Sequence, residues 1–237
     1  MVGYGVDREW TLALRALVAR YGELQAAGRG TVQRRGQQFN ALVADLLRLW
    51  GIDAEAGVIG IEGRDEVDVT FTLGDTPYLL EAKWHARPVP ADAASKLADH
   101  IRQRLRGTRG VVLSMSGYTR NAAPAAERGQ QPEVLLLDRS HFEAMLSGLM
   151  APDQLLQAVV RQASRRGGVY VPLADVVGAE NVVRAGQAAC RYSWRMPPSR
   201  SRRRMSSRPS GSGSVIGWGS GRRGAAARSV RWGRCLL

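Results

Sequence analysis

The sequence predicts an α/β fold: a helix, a three-stranded meander, a helix and a further strand, with an extra N-terminal helix and a basic C-terminal tail. The apolar spacing predicts this fold, because it changes along the chain from about 3.6, typical of a helix, to about 2, typical of a half-buried strand. The strongly apolar runs 111–115 and 134–137 then indicate strands at the centre of a sheet.

Two amphipathic helices open the chain. Residues 7–27 have apolar side chains at intervals of four and three, with Asp7 as N-cap and Gly28 as the end. Two heptads are too few for an autonomous coiled coil, so packing on the same domain is favoured over a homodimer. Residues 36–50 form a second helix with a broad apolar face, typical of a core helix.

The meander is predicted from alternation and from one turn. A weak strand pattern near Ala54–Ile61 precedes residues 66–73, which alternate regularly between apolar and polar side chains. Gly74-Asp75 is a two-residue hairpin signal, and residues 78–84 form the returning strand.

A helix over residues 90–106 is predicted next, with Leu97, Ile101 and Leu105 facing inward. The pattern predicts later helices near residues 119–128, 139–148 and 152–165.

The domain organisation follows from composition. From residue 191 onward there are 12 arginines and no acidic residue, whereas the first 190 residues carry 22 basic and 21 acidic groups. This tail is predicted to be disordered. It is either a basic arm for nucleic acid or the product of out-of-frame translation. The predicted units are an N-terminal helix (1–30), an α/β domain (31–166), an extension (167–190) and the tail (191–237).

The formal charge of +13 therefore belongs almost entirely to the tail. Cys190 and Cys235 have no metal-ligand spacing and form no disulfide framework. Neither a signal peptide nor a bilayer-spanning apolar run is recognisable. We therefore expect a soluble protein of the cytoplasm.

The segment Glu81-Ala82-Lys83 is the main candidate for a catalytic site. Only two of the 34 basic residues are lysines, Lys83 and Lys96. Lysine is a compact donor whose pKa shifts readily when it is desolvated, whereas arginine stays charged. Because strand residues two apart share a face, Glu81 and Lys83 point the same way.

A turn at Gly74-Asp75 would place Asp68 opposite Glu81 on that face, with Cβ atoms roughly 4.5–5.5 Å apart. Two carboxylates this close repel unless a positive charge lies between them, and a hard divalent cation is the expected partner. A three-residue loop would shift the register and separate them.

An alternative interpretation stays open. The same register places Glu66 opposite Lys83, so the four charges could form a solvated ladder on an exposed sheet face. Asp65 also competes with Asp68 as a ligand, although a regular strand turns Asp65 to the other face.

The chain resembles the Mrr-like restriction endonucleases of the PD-(D/E)xK nuclease superfamily over about residues 34–150. Asp68 with Glu81-x-Lys83 is the strongest part of the resemblance, and the segments 35–36, 78–84, 108–110 and 114–118 add to it. The resemblance implies a restriction-endonuclease-like core, metal-dependent hydrolysis of phosphodiester bonds in DNA, and a role in defence against foreign or modified DNA.

The resemblance also implies residue roles. Asp68 and Glu81 would bind Mg²⁺, or Mn²⁺ in its place, with the carbonyl of Ala82, and Lys83 would orient or deprotonate the attacking water. The metal would stabilise charge on the phosphate and lower the pKa of its water.

The sequence departs from the family pattern at two places and offers one further candidate residue. Val67 stands where the superfamily name has proline. The core helix often supplies a glutamate, and the corresponding region here offers Gln38 and Asn40, so a catalytically weakened module that binds DNA or a partner is the alternative function. His85 could touch a phosphate, although an ordinary solvated histidine is favoured.

Cations cluster after the motif and predict a groove for the DNA backbone, although a solvated helix face also explains them. They are Arg87, Lys96, Arg102, Arg104 and Arg106.

Overall fold

The computed structural model describes residues 8–27, 32–60, 66–127 and 133–177. Predictions that concern Asp7, Gly28, Asp65, the remainder of the extension from residue 178, both cysteines and the tail lie outside these residues.

Apart from a short helix at residues 173–177, which was not predicted, the described residues form helices and strands in the predicted order. The helices are α1 (Arg8–Ala26), α2 (Val32–Leu49), α3 (Asp92–Arg102), α4 (Ala122–Glu127), α5 (Arg139–Leu146), α6 (Pro152–Arg166) and α7 (Leu173–Val177). The strands are β1 (Ala54–Ile59), β2 (Glu66–Leu73), β3 (Thr76–Lys83), β4 (Arg109–Ser114) and β5 (Val134–Asp138).

The five strands form one mixed sheet in the order β1-β2-β3-β4-β5. The first three are an antiparallel meander, and β3, β4 and β5 run parallel. The predicted α/β class is therefore confirmed. Within the described residues, no helix combines the length and apolarity that crossing a bilayer requires.

Apolar side chains cover both faces of the sheet. The larger core packs α1, α2, α5 and α6 against one face, and the smaller core packs α3 against the other. Gly110 lets α3 lie close to β4, because a Cβ there would come within 2.6 Å of Ile101 Cδ1 and 3.0 Å of Leu97 Cδ2. The crossing of α3 over β4 therefore depends on this glycine.

One part of the α3 prediction is wrong. Leu97 and Ile101 are buried as expected, but Leu105 is 86% exposed. The helix ends at Arg102, four residues earlier than predicted, and a turn follows in which Thr108 Oγ1 donates a hydrogen bond to the Leu105 carbonyl. The helical period that pointed Leu105 inward therefore no longer applies there.

The segment after α6 covers the outer edge of β5. The Leu136 amide donates to the Val169 carbonyl at 2.9 Å, and Tyr170 donates to Asp138 at 2.6 Å. Asp138 also caps α5 together with the buried His141. Burial alone would raise the pKa of Asp138, but hydrogen bonds from His141, Ser140 and Tyr170 outweigh it and hold the pKa well below its usual range.

Candidate active site

The candidate site lies where β2 and β3 part, at the carboxyl end of β3. The antiparallel pairing runs from Leu73–Thr76 to Val69–Leu80 in the predicted register. It ends one pair short of Asp68 and Glu81. The carboxylate of Asp68 replaces the missing strand contact, since the Ala82 amide donates to Asp68 Oδ2 at 2.9 Å.

The predicted acids and amine come together in this gap. Lys83 Nζ lies 3.1 Å from each carboxylate oxygen of Glu81 and 3.9 Å from Asp68 Oδ2. The side chains of Lys83, Asp68 and Glu81 are 29%, 22% and 23% exposed, so the group is largely shielded from solvent. The ammonium supplies the positive charge that two neighbouring carboxylates need.

The charge-ladder interpretation requires Glu66 to pair with Lys83 across β2 and β3. Strand pairing ends before these residues, and Glu66 instead pairs with Ile59 of β1 and is exposed. Within the described part of the chain, the ion pairs of Lys83 are with Asp68 and Glu81. The geometry therefore favours a converging site over a solvated ladder.

The pKa of Glu81 reflects the burial and the charges of the site. Burial, followed by the charge of Asp68, raises the pKa of Glu81 above its ordinary value of 4.5, and Lys83 opposes this shift. A carboxyl group whose ionised form is disfavoured in this way gains free energy from any further positive charge. Such perturbed carboxyl groups are typical of catalytic and metal-binding sites.

Asn40 joins the site from α2. Its Nδ2 donates to Asp68 Oδ1 at 2.9 Å, and the residue is only 8% exposed. Its Oδ1 is buried and has no hydrogen-bond partner among the described residues. A buried amide oxygen without a donor is costly, so this atom is suited to a cation or to a donor on a ligand. Gln38, the other residue that α2 was predicted to contribute, is exposed.

The donor atoms suit a hard cation such as Mg²⁺, which prefers oxygen ligands. Asp68 and Glu81 provide carboxylates, and Asn40 provides a neutral oxygen. The Ala82 carbonyl faces the same gap as the Ala82 amide, because both groups of a strand residue point to one side. No cluster of three or more acidic, histidine or cysteine side chains is found in the described ranges. The charged part of this donor set therefore has two carboxylates.

Arg35 is a residue of the site region to which the sequence reasoning gave no role. It lies in the first turn of α2, where its Nη2 donates to the Trp84 carbonyl at 3.1 Å. Its guanidinium carbon lies 5.6 Å from the centroid of the Trp84 ring. Because Trp84 follows Lys83, this contact brings α2 to the end of β3. A signal was present in the sequence, since an arginine at a helix start opposes the helix dipole.

The predicted DNA-contacting cations do not all reach the site. Arg87 lies exposed in the loop after β3, and the exposed Lys96 pairs with Asp92 at 2.9 Å near the start of α3. The charge of Glu81 contributes to the raised pKa of Lys96, after Asp92. His85 is exposed just beyond β3.

The remaining cations lie towards the opposite end of the strands, because α3 runs back from the carboxyl end of β3 to the start of β4. An 11-residue helix covers roughly 16 Å. Arg102 ends this helix in an ion pair with Asp99, and Arg104 and Arg106 follow it. Their role in DNA binding stays a prediction.

Comparison with known proteins gives one family and two solved structures. The family model of the Mrr catalytic domain, described as a restriction endonuclease, matches residues 32–146. A crystal structure of a protein of unknown function, AF1548, aligns at 21% identity over 67% of this chain and 93% of its own, with a TM-score of 0.40. The MspJI restriction endonuclease, in complex with a 27-mer oligonucleotide, aligns at 21% identity over 70% of this chain and 39% of its own, with a TM-score of 0.35.

No curated protein matches the chain. The family match covers α2, the whole sheet and α5, and so includes Asp68, Glu81 and Lys83. Residues 32–146 therefore belong to the Mrr catalytic-domain family of restriction endonucleases, a class of nucleases that act on DNA.

Proposed function

We propose that this protein is a metal-dependent endonuclease that hydrolyses phosphodiester bonds in DNA with Mg²⁺, or with Mn²⁺ in its place. The observation that supports it best is the convergence of Lys83 Nζ on Glu81 and Asp68 at 3.1 and 3.9 Å, within the matched family domain. A role in defence against foreign or modified DNA belongs to the same proposal and follows from the family alone.

In this proposal the residues of the site have two roles, metal binding and positioning of the attacking water. Asp68 and Glu81 would hold the metal with the Ala82 carbonyl and Asn40 Oδ1. The bound metal supplies charge stabilisation at the scissile phosphate and acidifies a water. Lys83, held by both carboxylates, would orient the attacking water, and it would accept a proton from that water only after giving up its own ammonium proton.

Plasmid nicking tests the proposed function. Purified protein is incubated with supercoiled plasmid and Mg²⁺ or Mn²⁺, beside Asp68→Asn and the control Glu66→Gln, which removes an exposed acid two residues away on the same strand. We expect the wild type and Glu66→Gln to nick DNA and Asp68→Asn to be inactive, because Asp68 is a proposed ligand. Equal activity of Asp68→Asn would refute the assignment.

A second candidate function is a DNA-binding or partner-binding module with little or no turnover. The observation that favours it is Asn40, which lies in the region where the family often has a glutamate and which donates a hydrogen bond to Asp68 Oδ1. DNA binding without nicking in either metal would support this second function over the first.

Asn40→Glu is expected to make the site bind metal more tightly. A third carboxylate beside Asp68 and Glu81 increases repulsion in EDTA, so the melting temperature should fall there, and Mg²⁺ should restore it by more than in the wild type. Each tenfold gain in affinity adds about 1.4 kcal/mol of stability at saturating Mg²⁺. Thermal unfolding in EDTA and over a Mg²⁺ titration measures both effects.

Gln157→Glu adds the same charge on the exposed surface of α6 and serves as the control. An Asn40→Glu protein whose Mg²⁺ response equals that of Gln157→Glu would show that Asn40 does not adjoin a metal site.

A further inference from the structure

Among the described residues, no packing contact requires a glycine at Gly36, which lies inside α2. A Cβ at this position would meet nothing within 4 Å among the described residues. Glycine is less favourable than alanine in a helix, so an unneeded glycine weakens α2. Gly36 lies four residues before Asn40 and therefore shares its face, one turn nearer the helix start. The open space above Gly36 consequently adjoins the candidate site.

The same part of α2 is positively charged. Residues 32–40 include Arg34 and Arg35 and no acidic residue. Acidic residues are usually favoured at helix starts, where the helix dipole is positive. Here the arginines add to that potential, which suits a polyanion.

Arg35 is held in place before any ligand arrives. Its Nη2 donates to the Trp84 carbonyl at 3.1 Å, and its guanidinium lies over the Trp84 ring. Trp84 in turn packs edge-on against Phe39, with ring centroids 4.9 Å apart. An arginine fixed by stacking loses less conformational entropy when it binds a phosphate than a free one.

The same face of α2 also carries Asn40, the residue that this helix contributes to the candidate site. Asn40 is 8% exposed, and its Oδ1 has no hydrogen-bond partner in the described part of the chain. An acceptor oxygen of the site and a cationic helix surface thus lie one turn apart on α2.

We propose that the first two turns of α2 are the surface on which the sugar–phosphate backbone of the DNA strand lies, with Gly36 at the point of closest approach and Arg35 on a phosphate. This inference rests on the proposed function, because it concerns the substrate of that same site. Glycine is required there because a side chain would hold the backbone away from Lys83.

Gly22 offers a matched control. It lies inside α1, and a Cβ there also meets nothing within 4 Å among the described residues. The test compares Gly36→Ala and Gly36→Leu with Gly22→Ala and Gly22→Leu. Fluorescence anisotropy measures affinity for a labelled DNA duplex in EDTA, thermal unfolding checks the fold, and plasmid nicking is followed in parallel.

Both alanine variants are expected to melt slightly above the wild type, because alanine favours the helix. Gly36→Leu is expected to bind the duplex roughly tenfold more weakly, and Gly36→Ala less so, whereas both Gly22 variants bind like the wild type. Arg35→Gln is expected to reduce the slope of log affinity against log salt by about one.

A folded Gly36→Leu protein that binds and nicks like a wild type active in the same assay would overturn this inference and leave the proposed function intact. If Gly36→Leu does not fold, unchanged binding and salt slope in Gly36→Ala and Arg35→Gln would overturn it instead. A wild type that neither binds nor nicks DNA would remove the proposed function and the inference together.

Discussion

Lys83→Ala is expected to lower DNA cleavage by roughly 100- to 10,000-fold, the usual contribution of a positioned acid–base group. The ammonium contacts both Glu81 oxygens at 3.1 Å and lies 3.9 Å from Asp68, so its removal leaves two partly buried carboxylates facing each other. Single-turnover cleavage of a plasmid with saturating Mg²⁺ measures the loss.

Two further variants make this result specific. Lys83→Arg keeps a positive charge but lacks a compact amine that can give up a proton, so it should also be inactive. Arg161→Ala removes one positive charge from the exposed surface of α6 and should cleave like the wild type. Full activity in Lys83→Arg would mean that charge alone matters, and full activity in Lys83→Ala would exclude a catalytic role.

Glu81→Gln is expected to abolish cleavage and yet to stabilise the metal-free protein. Burial and then the charge of Asp68 raise the pKa of Glu81, which means that its ionised form is disfavoured in the folded state. Glutamine has the same shape without the charge, so it relieves this cost while removing a proposed ligand.

The pH dependence follows from the direction of this shift. Because the folded-state pKa lies above the unfolded one, the stability contributed by Glu81 is fully present below its ordinary pKa of 4.5 and is lost as the pH rises through the folded value. The melting-temperature advantage of Glu81→Gln in EDTA should therefore be largest near neutral pH and should shrink towards pH 4.5.

Thermal unfolding of both proteins in EDTA across this pH range measures the difference. Added Mg²⁺ should raise the melting temperature of the wild type more than that of Glu81→Gln. A Glu81→Gln protein that is less stable at neutral pH, or that responds to Mg²⁺ like the wild type, would contradict the proposed role.

The sequence by itself predicted the strands, most of the helices and the three charged residues that converge at the candidate site. Alternation over residues 66–73 and the Gly74-Asp75 turn are local signals, and a strand register follows directly from them. The confirmed register therefore brought Asp68 to Glu81 and Lys83. The residue roles at the site and the boundaries of the nuclease domain at residues 31 and 166 stay predictions.

The tertiary structure alone decided what surrounds these residues. Asn40 meets Asp68 across 28 positions, and Arg35 meets Trp84 across 49. The course of α3 likewise separates Arg102 from the site. An apolar pattern specifies which face of a helix is buried, but it does not specify how far the helix slides along the sheet or where it ends. That placement results from side-chain packing between distant segments, which no local periodicity encodes.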